Sequence, residues 1–480
     1  MKPLKILFAA SEAAPYAKTG GLGDVCGALP KSLKKLGCEV ILIMPFYRQI
    51  DSEFQNTNIQ VSLQVGDREI AAQLFQTFSN DVSTYFLKCD EYFDREYLYG
   101  TPDSDYPDNL ERWTFFSKAV LEAVKKLDFK PDIIHCHDWQ TGLIPAYLKT
   151  ICKDDPFFLN TKTLFTIHNI AYQGLFPSSL FSLTGLPLSI FNPEGIEYWG
   201  KINLLKAGIV FSEIETTVSE KYAQEIQTNE AGCGLEGVLQ ARKDKLFGIL
   251  NGVDYDEWNP SKDRFIAANY DNDNLTNKKV CRTDLLKVYD LEISEQIPLI
   301  GIISRFVEQK GFDILSEAME EIMSMNVCMV VVGSGEKKYS DIFLTLARKY
   351  PEKLGVKIAF DNAIAHKITA GSDMILMPSL FEPCGMTQMY SLKYGTIPIV
   401  RATGGLDDTI EDFDVKTGSG TGFKFIDYNS GSLLKKVEEA VQTFDNKQLW
   451  NSLMQNAMKQ DFSWERSAKR YVELYEKLCK

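Results

Sequence analysis

The order of hydrophobic and polar positions predicts two successive runs of alternating strands and helices. In the first run, short apolar segments predict buried strands, and the segment 109–126 has apolar residues at helical spacing. The strands predicted in this run are 5–10, 39–44, 59–65, 84–87, 132–136, 163–167 and 216–218. Strands that alternate with helices are typical of parallel sheets covered by helices on both faces, so the pattern predicts an α/β fold.

A polar segment separates the two runs. Residues 255–297 contain Asn259-Pro260 and the polar run 271–279, so we interpret the start of this segment as an interdomain linker. The strands predicted after it are 298–304, 327–333, 356–360, 373–378 and 396–400. The sequence thus predicts two domains, 1–258 and 259–462, followed by an amphipathic helix at 463–478.

The first run is less regular between residues 140 and 210. Here we predict helices at 140–148 and 199–210. The segment 174–193 is rich in Pro, Ser, Phe and Leu, and we predict an irregular insertion there.

Composition excludes several classes of function. The formal net charge of −13 argues against general binding to nucleic acids or anionic membranes, because phosphate groups require a basic surface. No apolar run approaches the roughly 20 residues of a membrane-spanning helix. The N-terminal apolar run fits a strand better than a signal peptide, since Glu12 follows it. Ten cysteines without a CxxC pair fit reduced thiols in a cytoplasmic protein.

Polar and glycine residues follow most of the predicted strands, at the edge where parallel sheets bind ligands. The first such stretch, residues 18–24 (KTGGLGD), lies between a strand and a helix. Its glycines allow a ligand to approach the backbone closely, and Lys18 with the first N–H groups of the helix could bind an anion. The alternative is a solvated lysine on a surface loop.

Two later stretches carry groups suited to a phosphorylated ligand. Arg305 and Lys310 lie on a loop after a strand, where they could stabilise a diphosphate leaving group or form a pair of surface ions. Glu382 precedes a proline at the start of a predicted helix, whose first amides at Met386 and Thr387 could bind phosphate. The Glu382 carboxylate could accept hydrogen bonds from sugar hydroxyls or compensate nearby lysines.

Metal and nicotinamide sites are not favoured by the sequence. His135 and His137 could share one face of a strand, but the chain has four histidines and no HExxH or CxxC to complete a zinc site. Pairs of the form DxD are expected by chance in a chain with 65 carboxylates, so we expect no required metal and no cofactor. Neither GLG at 21–23 nor GSG at 333–335 completes a GxGxxG fingerprint, which disfavours an oxidoreductase.

Taken together and in order, these stretches resemble the bacterial glycogen synthases and the plant starch synthases. The stretches that carry the resemblance are KTGGL at 18–22, HDW at 137–139, HN at 168–169, GKINLLK at 200–206, NGVD at 251–254, SRFVEQKG at 304–311, FEPCG at 381–385 and TGGL at 403–406. The resemblance implies two Rossmann-like domains that face each other across a deep cleft (the GT-B architecture), with the C-terminal helix 463–480 packed back on the first domain.

The resemblance further implies a retaining glucosyltransferase. Its donor would be ADP-glucose, and its acceptor the non-reducing end of an α-1,4-glucan such as glycogen, starch or a malto-oligosaccharide. Its location would be the cytoplasm, or the plastid stroma in a plant. The resemblance makes no prediction about the oligomeric state.

Site residues follow from matching the family's motifs position by position. The resemblance implies that Lys18, Arg305 and Lys310 bind the diphosphate, that Glu382 contacts the glucose, and that His168 lies beside the reacting sugar. The implied substrate-binding residues are Gly20, Gly21, Asp24, Asp138, Trp139, Asn169, Asn251, Gly385, Met386, Thr387, Thr403, Gly404 and Gly405. Candidate aromatic platforms for the acceptor are Trp139, Tyr172 and Trp199, with core packing as the alternative.

Two departures from the family pattern bear on the nucleotide. Leu380 stands where many members have Arg, and Phe360 replaces a Tyr found near the nucleotide in some members. A related two-domain transferase that uses UDP-glucose and a small acceptor is therefore an alternative. A glucan-binding protein without activity is another, although it would leave the three cations without a role.

Overall fold

The computed structural model describes residues 3–51, 53–78, 82–101 and 103–480. It divides into two compact units, Met1–Gly252 with Trp464–Lys480, and Val253–Ser463. Among the described helices, none has the length and apolar character needed to cross a membrane.

The first unit is built on a nine-stranded sheet and a small three-stranded sheet. Its strands are β1 (Lys5–Ala9), β2 (Glu39–Pro45), β3 (Gln55–Val65), β4 (Arg68–Thr77), β5 (Ser83–Lys88), β6 (Ile133–His137), β7 (Lys162–Ile167), β8 (Leu175–Pro177), β9 (Glu197–Tyr198), β10 (Lys201–Asn203), β11 (Ile214–Thr217) and β12 (Leu246–Gly248). The large sheet has the order β12-β11-β7-β6-β1-β2-β5-β4-β3, and the small sheet the order β8-β10-β9. Four consecutive residues of β1 are buried, as expected for a central parallel strand covered on both faces.

Within the described residues of the first unit, helices α1 to α7 lie between these strands. They are α1 (Gly21–Lys35), α2 (Asp90–Phe93), α3 (Asn109–Lys126), α4 (Leu143–Lys149), α5 (Leu204–Phe211), α6 (Glu220–Glu225) and α7 (Glu236–Ala241). Helix α3 has the predicted bounds and buries Trp113, Phe116 and Val120. The predicted apolar face therefore packs into the core of the unit.

The second unit is built on a six-stranded parallel sheet of order β15-β14-β13-β16-β17-β18. Its strands are β13 (Leu299–Ile303), β14 (Cys328–Gly333), β15 (Leu354–Ile358), β16 (Met374–Met377), β17 (Ile397–Arg401) and β18 (Phe423–Phe425). Its helices are α8 (Lys278–Val288), α9 (Phe312–Ser324), α10 (Lys337–Lys349), α11 (Asn362–Gly371), α12 (Thr387–Lys393), α13 (Gly404–Thr409), α14 (Ser430–Asp445) and α15 (Lys447–Met458). The sheet is covered by buried side chains on both faces.

The last helix, α16 (Trp464–Cys479), belongs to the first unit. It contacts α1, and the hydroxyl of Tyr475 lies 2.7 Å from Nδ1 of His135 in β6. Ser467 donates a hydrogen bond of 2.6 Å to the carbonyl of Leu250. The end of the chain is thereby attached to the central strands of the large sheet.

Three predictions about local structure were wrong. The strand β4 was not predicted, and it pairs antiparallel with both β3 and β5, so the first sheet is mixed rather than parallel. The helix predicted at 199–210 begins only at Leu204, because β10 precedes it and Asn203 caps it through a bond from the Lys206 N–H. The segment 174–193 is not wholly irregular, since it contains β8 and two short 3₁₀ turns.

The segment 255–297 packs as part of the second unit. The ring of Trp258 stacks between His366 and Tyr390, with ring centroids 3.7 and 4.0 Å apart. Its later part forms α8, which packs against α11. Although the segment is polar in composition, Trp258 and α8 anchor it to the rest of the second unit.

Candidate functional site

In the first unit, several predicted site residues follow strands that are neighbours in the large sheet. The parallel strands β7, β6 and β1 are adjacent in that order. Lys18 follows β1, Asp138 follows β6 and His168 follows β7. The carboxyl ends of parallel strands lie at one edge of the sheet, so these three residues share that edge.

The glycine-rich loop after β1 places Lys18 beside the start of α1. Its Nζ atom lies 2.5 Å from Oδ1 of Asp24 in the first turn of the helix, and its side chain is 44% exposed. Gly20 is the N-cap residue and Gly21 the first helical residue. An accessible cation thus lies next to the N–H groups at a helix N-terminus, an arrangement suited to an anion.

A buried carboxylate that the sequence-based prediction missed holds this loop in place. Glu12 is 3% exposed, and its two oxygens accept hydrogen bonds from the N–H and the hydroxyl of Thr19 at 2.5 and 2.7 Å. The Tyr99 hydroxyl donates a third bond of 2.5 Å. The only available sequence signal was a charged residue directly after an apolar strand, which does not reveal a partner 87 residues away.

Asp138 connects the loops that follow β6 and β7. Its Oδ1 atom accepts a 2.7 Å hydrogen bond from the backbone N–H of His168, and the N–H of Asn169 also donates to this carboxyl. Burial raises the pKa of Asp138 to about 8, although these two donors act in the opposite direction. Asp138 also has a φ of +54°, which non-glycine residues rarely adopt. Its geometry therefore assigns it to shaping the His168 loop.

Three buried histidine rings lie in a row behind this edge. His135 and His137 are two residues apart on β6 and therefore share one face of the strand, with ring centroids 4.1 Å apart. Nδ1 of His137 lies 3.1 Å from Nε2 of His168. Burial lowers the pKa of all three imidazoles, that of His168 to about 3, so all are neutral near pH 7.

Asn251 follows β12 at the same edge of the sheet. The residue is 5% exposed, and its Oδ1 atom has no hydrogen-bond partner within the described part of the chain. A buried acceptor without a partner costs free energy, so this oxygen is available to a ligand or a water molecule.

The three candidate aromatic platforms have different environments. Trp139 is 8% exposed and packs against Trp113 with ring centroids 5.8 Å apart, so its ring belongs to the core and is not an open sugar platform. Tyr172 and Trp199 are 54% and 84% exposed. Trp199 also has a φ of +51°, which is strained for a bulky residue. These two rings are accessible and stay candidates for acceptor binding.

In the second unit, six of the predicted site residues line a cavity of about 180 Å³. They are Arg305, Lys310, Glu382, Gly385, Met386 and Thr387. The cavity lies at the carboxyl ends of the adjacent strands β13 and β16. The structure therefore brings together residues from separate motifs of the second unit.

Charge in this cavity is partly compensated by the protein. Nζ of Lys310 lies 2.5 Å from Oε2 of Glu382, with side chains 18% and 7% exposed, and the Ser379 hydroxyl donates a 3.0 Å bond to the same oxygen. Arg305 is exposed and forms no ion pair with any described residue. The cavity thus offers one free guanidinium and one lysine shared with a buried carboxylate, which suits an anionic ligand.

Three predicted substrate-binding residues lie behind the cavity and support it. Gly405 donates its N–H to the carbonyls of Glu382 and Pro383 at 3.1 and 3.2 Å. A Cβ atom on Gly404 would lie 2.0 Å from the Glu382 carbonyl oxygen, and Thr403 is 3% exposed. Close packing of this turn against the loop that carries Glu382 explains the pair of glycines.

The positions that depart from the family pattern are both on the surface. Phe360 is 88% exposed after β15, and Leu380 is 36% exposed, next to the cavity residue Ser379. Over the described ranges, no group of three or more His, Cys, Asp or Glu side chains has the geometry to hold a metal ion. That Lys18 joins Arg305 and Lys310 on one diphosphate stays a prediction.

Comparison with known proteins places these motifs in a family context. Residues 5–241 match the family model described as the starch synthase catalytic domain, and residues 289–460 match the glycosyl transferases group 1 model. The chain is 48% identical to a glycogen synthase of Koribacter versatilis, over 99% of this chain and 98% of that protein. It is 46% identical to a glycogen synthase of Thermosipho africanus, over 99% of both chains.

Solved structures agree with these sequence matches. The catalytic domain of starch synthase IV from Arabidopsis thaliana, bound to ADP and acarbose, superposes with a TM-score of 0.92 at 32% identity over 99% of both chains. A sucrose-phosphate synthase from Thermosynechococcus elongatus superposes with a TM-score of 0.61 at 15% identity over 99% of both chains, which is a likeness of fold alone.

Proposed function

Since the chain belongs to the family of bacterial glycogen synthases and plant starch synthases, we propose that it transfers glucose from ADP-glucose to the non-reducing end of an α-1,4-glucan, with retention of configuration. The observation that carries this proposal is the likeness, over 99% of both chains, to a starch synthase catalytic domain that was solved with ADP and acarbose. In this chain, the cavity lined by Arg305, Lys310 and Glu382 also supports the proposal.

The residues divide into those that act on the departing ADP and those that act on the sugar. Lys18, Arg305 and Lys310 are the cations proposed to stabilise the negative charge that builds on the diphosphate as the C1–O bond breaks. The N-terminal amides of α12, at Met386 and Thr387, would add hydrogen bonds to the same group. His168 and Glu382 would orient the glucose while its C1 becomes oxocarbenium-like and the acceptor 4-hydroxyl attacks from the same face.

Partners and location follow from the same proposal. The acceptor would be glycogen, starch or a malto-oligosaccharide, and the reaction would need neither a metal nor another cofactor. In this proposal, three cations and a helix N-terminus would supply the charge that a metal ion would otherwise provide to the diphosphate. The protein would work in the cytoplasm, or in the plastid stroma if its source is a plant.

The experiment that tests the proposal is an assay of ADP release from ADP-glucose in the presence of glycogen and excess EDTA. We expect release that depends on glycogen and persists in EDTA. Absence of release at every glycogen concentration would contradict the proposed reaction. Release that is lost in EDTA and restored by Mg²⁺ would contradict only the expectation that no metal is required.

The same assay separates the donors. With UDP-glucose in place of ADP-glucose, we expect a lower kcat/KM for release of the nucleoside diphosphate. A higher value with UDP-glucose, together with indifference to glycogen, would instead favour a transferase that acts on a small acceptor.

A further inference from the structure

We propose that His137 is a positioning residue that fixes the ring and the tautomer of His168, so that His168 presents its Nδ1–H to the bound donor sugar. This role rests on the proposed function, in which His168 lies beside the reacting glucose. His137 itself is fully buried and cannot touch a ligand. It would act only through the neighbouring imidazole.

The contact between the rings of His137 and His168 requires a proton on one of the two facing nitrogens. Nδ1 of His137 and Nε2 of His168 are 3.1 Å apart, a hydrogen-bond distance. Both imidazoles are neutral near pH 7, because burial lowers both pKa values. A neutral imidazole has one N–H donor and one bare acceptor nitrogen, so one of these two atoms donates and the other accepts.

The environment of His137 indicates which ring donates. Its second nitrogen, Nε2, is buried and has no hydrogen-bond partner among the described residues. If His168 were the donor, His137 would carry its proton on Nε2, and a buried N–H would be left without an acceptor. Orphaned buried N–H groups are rarer than acceptors with unused lone pairs. The proton is therefore assigned to Nδ1 of His137.

This assignment determines the chemistry of His168. With its Nε2 accepting from His137, the ring carries its proton on Nδ1. That atom forms no hydrogen bond within the described structure, and the residue retains 8% of its surface exposed. His168 is thus set to donate a hydrogen bond to an oxygen of the ligand rather than to accept one.

Packing keeps the ring of His137 from turning. It packs against both Phe8 and His135, with ring centroids 5.2 and 4.1 Å away. His135 is held in turn by the Thr166 hydroxyl at 2.6 Å and the Tyr475 hydroxyl at 2.7 Å. The C-terminal helix α16, which carries Tyr475, therefore contributes to the order of this row.

The direct test is nitrogen-15 NMR of the full-length protein labelled on histidine, at pH 7. The chain has four histidines, and the His168→Asn variant identifies the His168 signals by their loss. The nitrogen that couples to both ring carbon-bound protons is Nε2. We expect this nitrogen of His168 to have the chemical shift of an unprotonated atom. A protonated Nε2 would overturn the proposed tautomer, whether or not the protein has the proposed activity.

A pair of variants tests the positioning role through activity. His137→Phe keeps the ring volume and removes both nitrogens, whereas the amide of His137→Asn can replace the Nδ1–H donor. For the Phe variant we expect kcat to fall roughly tenfold to hundredfold, with little change in the KM for ADP-glucose. The Asn variant should recover most of the wild-type kcat. Equal kcat values for folded Phe and Asn variants would refute the role.

The outcomes separate this role from the proposed function. If the wild-type protein releases no ADP with glycogen, the proposed function fails while the NMR result still decides the tautomer. If the Phe variant does not fold, the NMR result on the wild-type protein and the kcat of the Asn variant remain decisive. If His137→Asn has a kcat as low as that of His168→Asn, the proposed hydrogen bond from residue 137 to His168 is contradicted.

Discussion

A substitution behind the cavity, Gly404→Ala, tests whether the position of Glu382 controls the reaction. Gly404 has a φ of +44°, and a Cβ atom there would lie 2.0 Å from the Glu382 carbonyl oxygen. Cβ atoms essentially never approach another heavy atom within 3.0 Å, so the loop carrying Glu382 must move by about 1.0 Å. A displacement of about 1 Å of a catalytic group costs about 10²-fold in rate. We therefore expect kcat to fall by about two orders of magnitude.

The matched control is Gly418→Ala in the same unit. Gly418 has a φ of +70°, and nothing lies within 4 Å of the position that its Cβ would occupy. Both variants carry the strain of a left-handed alanine, roughly 1–2 kcal/mol, but only Gly404→Ala adds a clash. Initial rates of ADP release with glycogen, together with urea unfolding, separate rate from stability. If Gly404→Ala folds and retains the kcat of Gly418→Ala, the link between this turn and catalysis is refuted.

Three further predictions concern charge, acceptor binding and pH. Lys18→Ala and Lys310→Ala should each lower kcat about 10²–10³-fold in the ADP-release assay, since each removes a charge that is proposed to stabilise the departing ADP; wild-type turnover would exclude that residue. Trp199→Ala should raise the KM for glycogen severalfold and leave that for ADP-glucose unchanged, whereas Leu188→Ala, at another exposed position, should change neither. Burial raises the pKa of Asp138 from 3.8, its value in the unfolded chain, to about 8 in the folded protein. Its contribution to the free energy of unfolding is therefore fully present below pH 3.8 and is lost as the pH rises to about 8. Asp138→Asn should therefore gain stability relative to wild type between pH 5 and pH 8 in urea unfolding; a constant difference would contradict this.

Most strands and long helices were predictable because their apolar positions repeat at the spacing of the element. Helix α3 and strand β7 illustrate this, since their buried faces coincide with the apolar pattern. Strand β4 was missed because exposed and partly exposed residues separate its buried positions, so it has no continuous apolar run. The start of α5 was misplaced because β10 has only three residues, Lys201–Asn203, which is too short to show a strand pattern in the sequence. Pairing with β8 and the Asn203 cap decide that boundary, and neither shows in local spacing.

The candidate site was predictable where a residue lies directly after a strand. Arg305 and Lys310 reach their cavity because β13 ends just before them, which the sequence shows. Glu12 was not predictable, since its role depends on Thr19 and Tyr99, and Tyr99 lies 87 residues away. Trp139 was a candidate acceptor platform because it belongs to a motif, with core packing as the alternative, and packing against Trp113 buries it. Motif membership does not distinguish contact with a ligand from support of the fold.

This distinction divides the motifs themselves into two physical kinds of residue. Lys18 and Arg305 are charged and accessible, so their side chains contribute little to the stability of the fold and are suited to binding a ligand. Gly404 and Gly405 lack side chains and press against the backbone of the loop that carries Glu382, so a methyl group at either position displaces that loop. Substitution of Lys18 or Arg305 should weaken the proposed stabilisation of the diphosphate charge and leave the fold intact. A substitution at Gly404 or Gly405 should instead move Glu382, the group proposed to orient the glucose, without changing its side chain. The two kinds of substitution therefore need different controls.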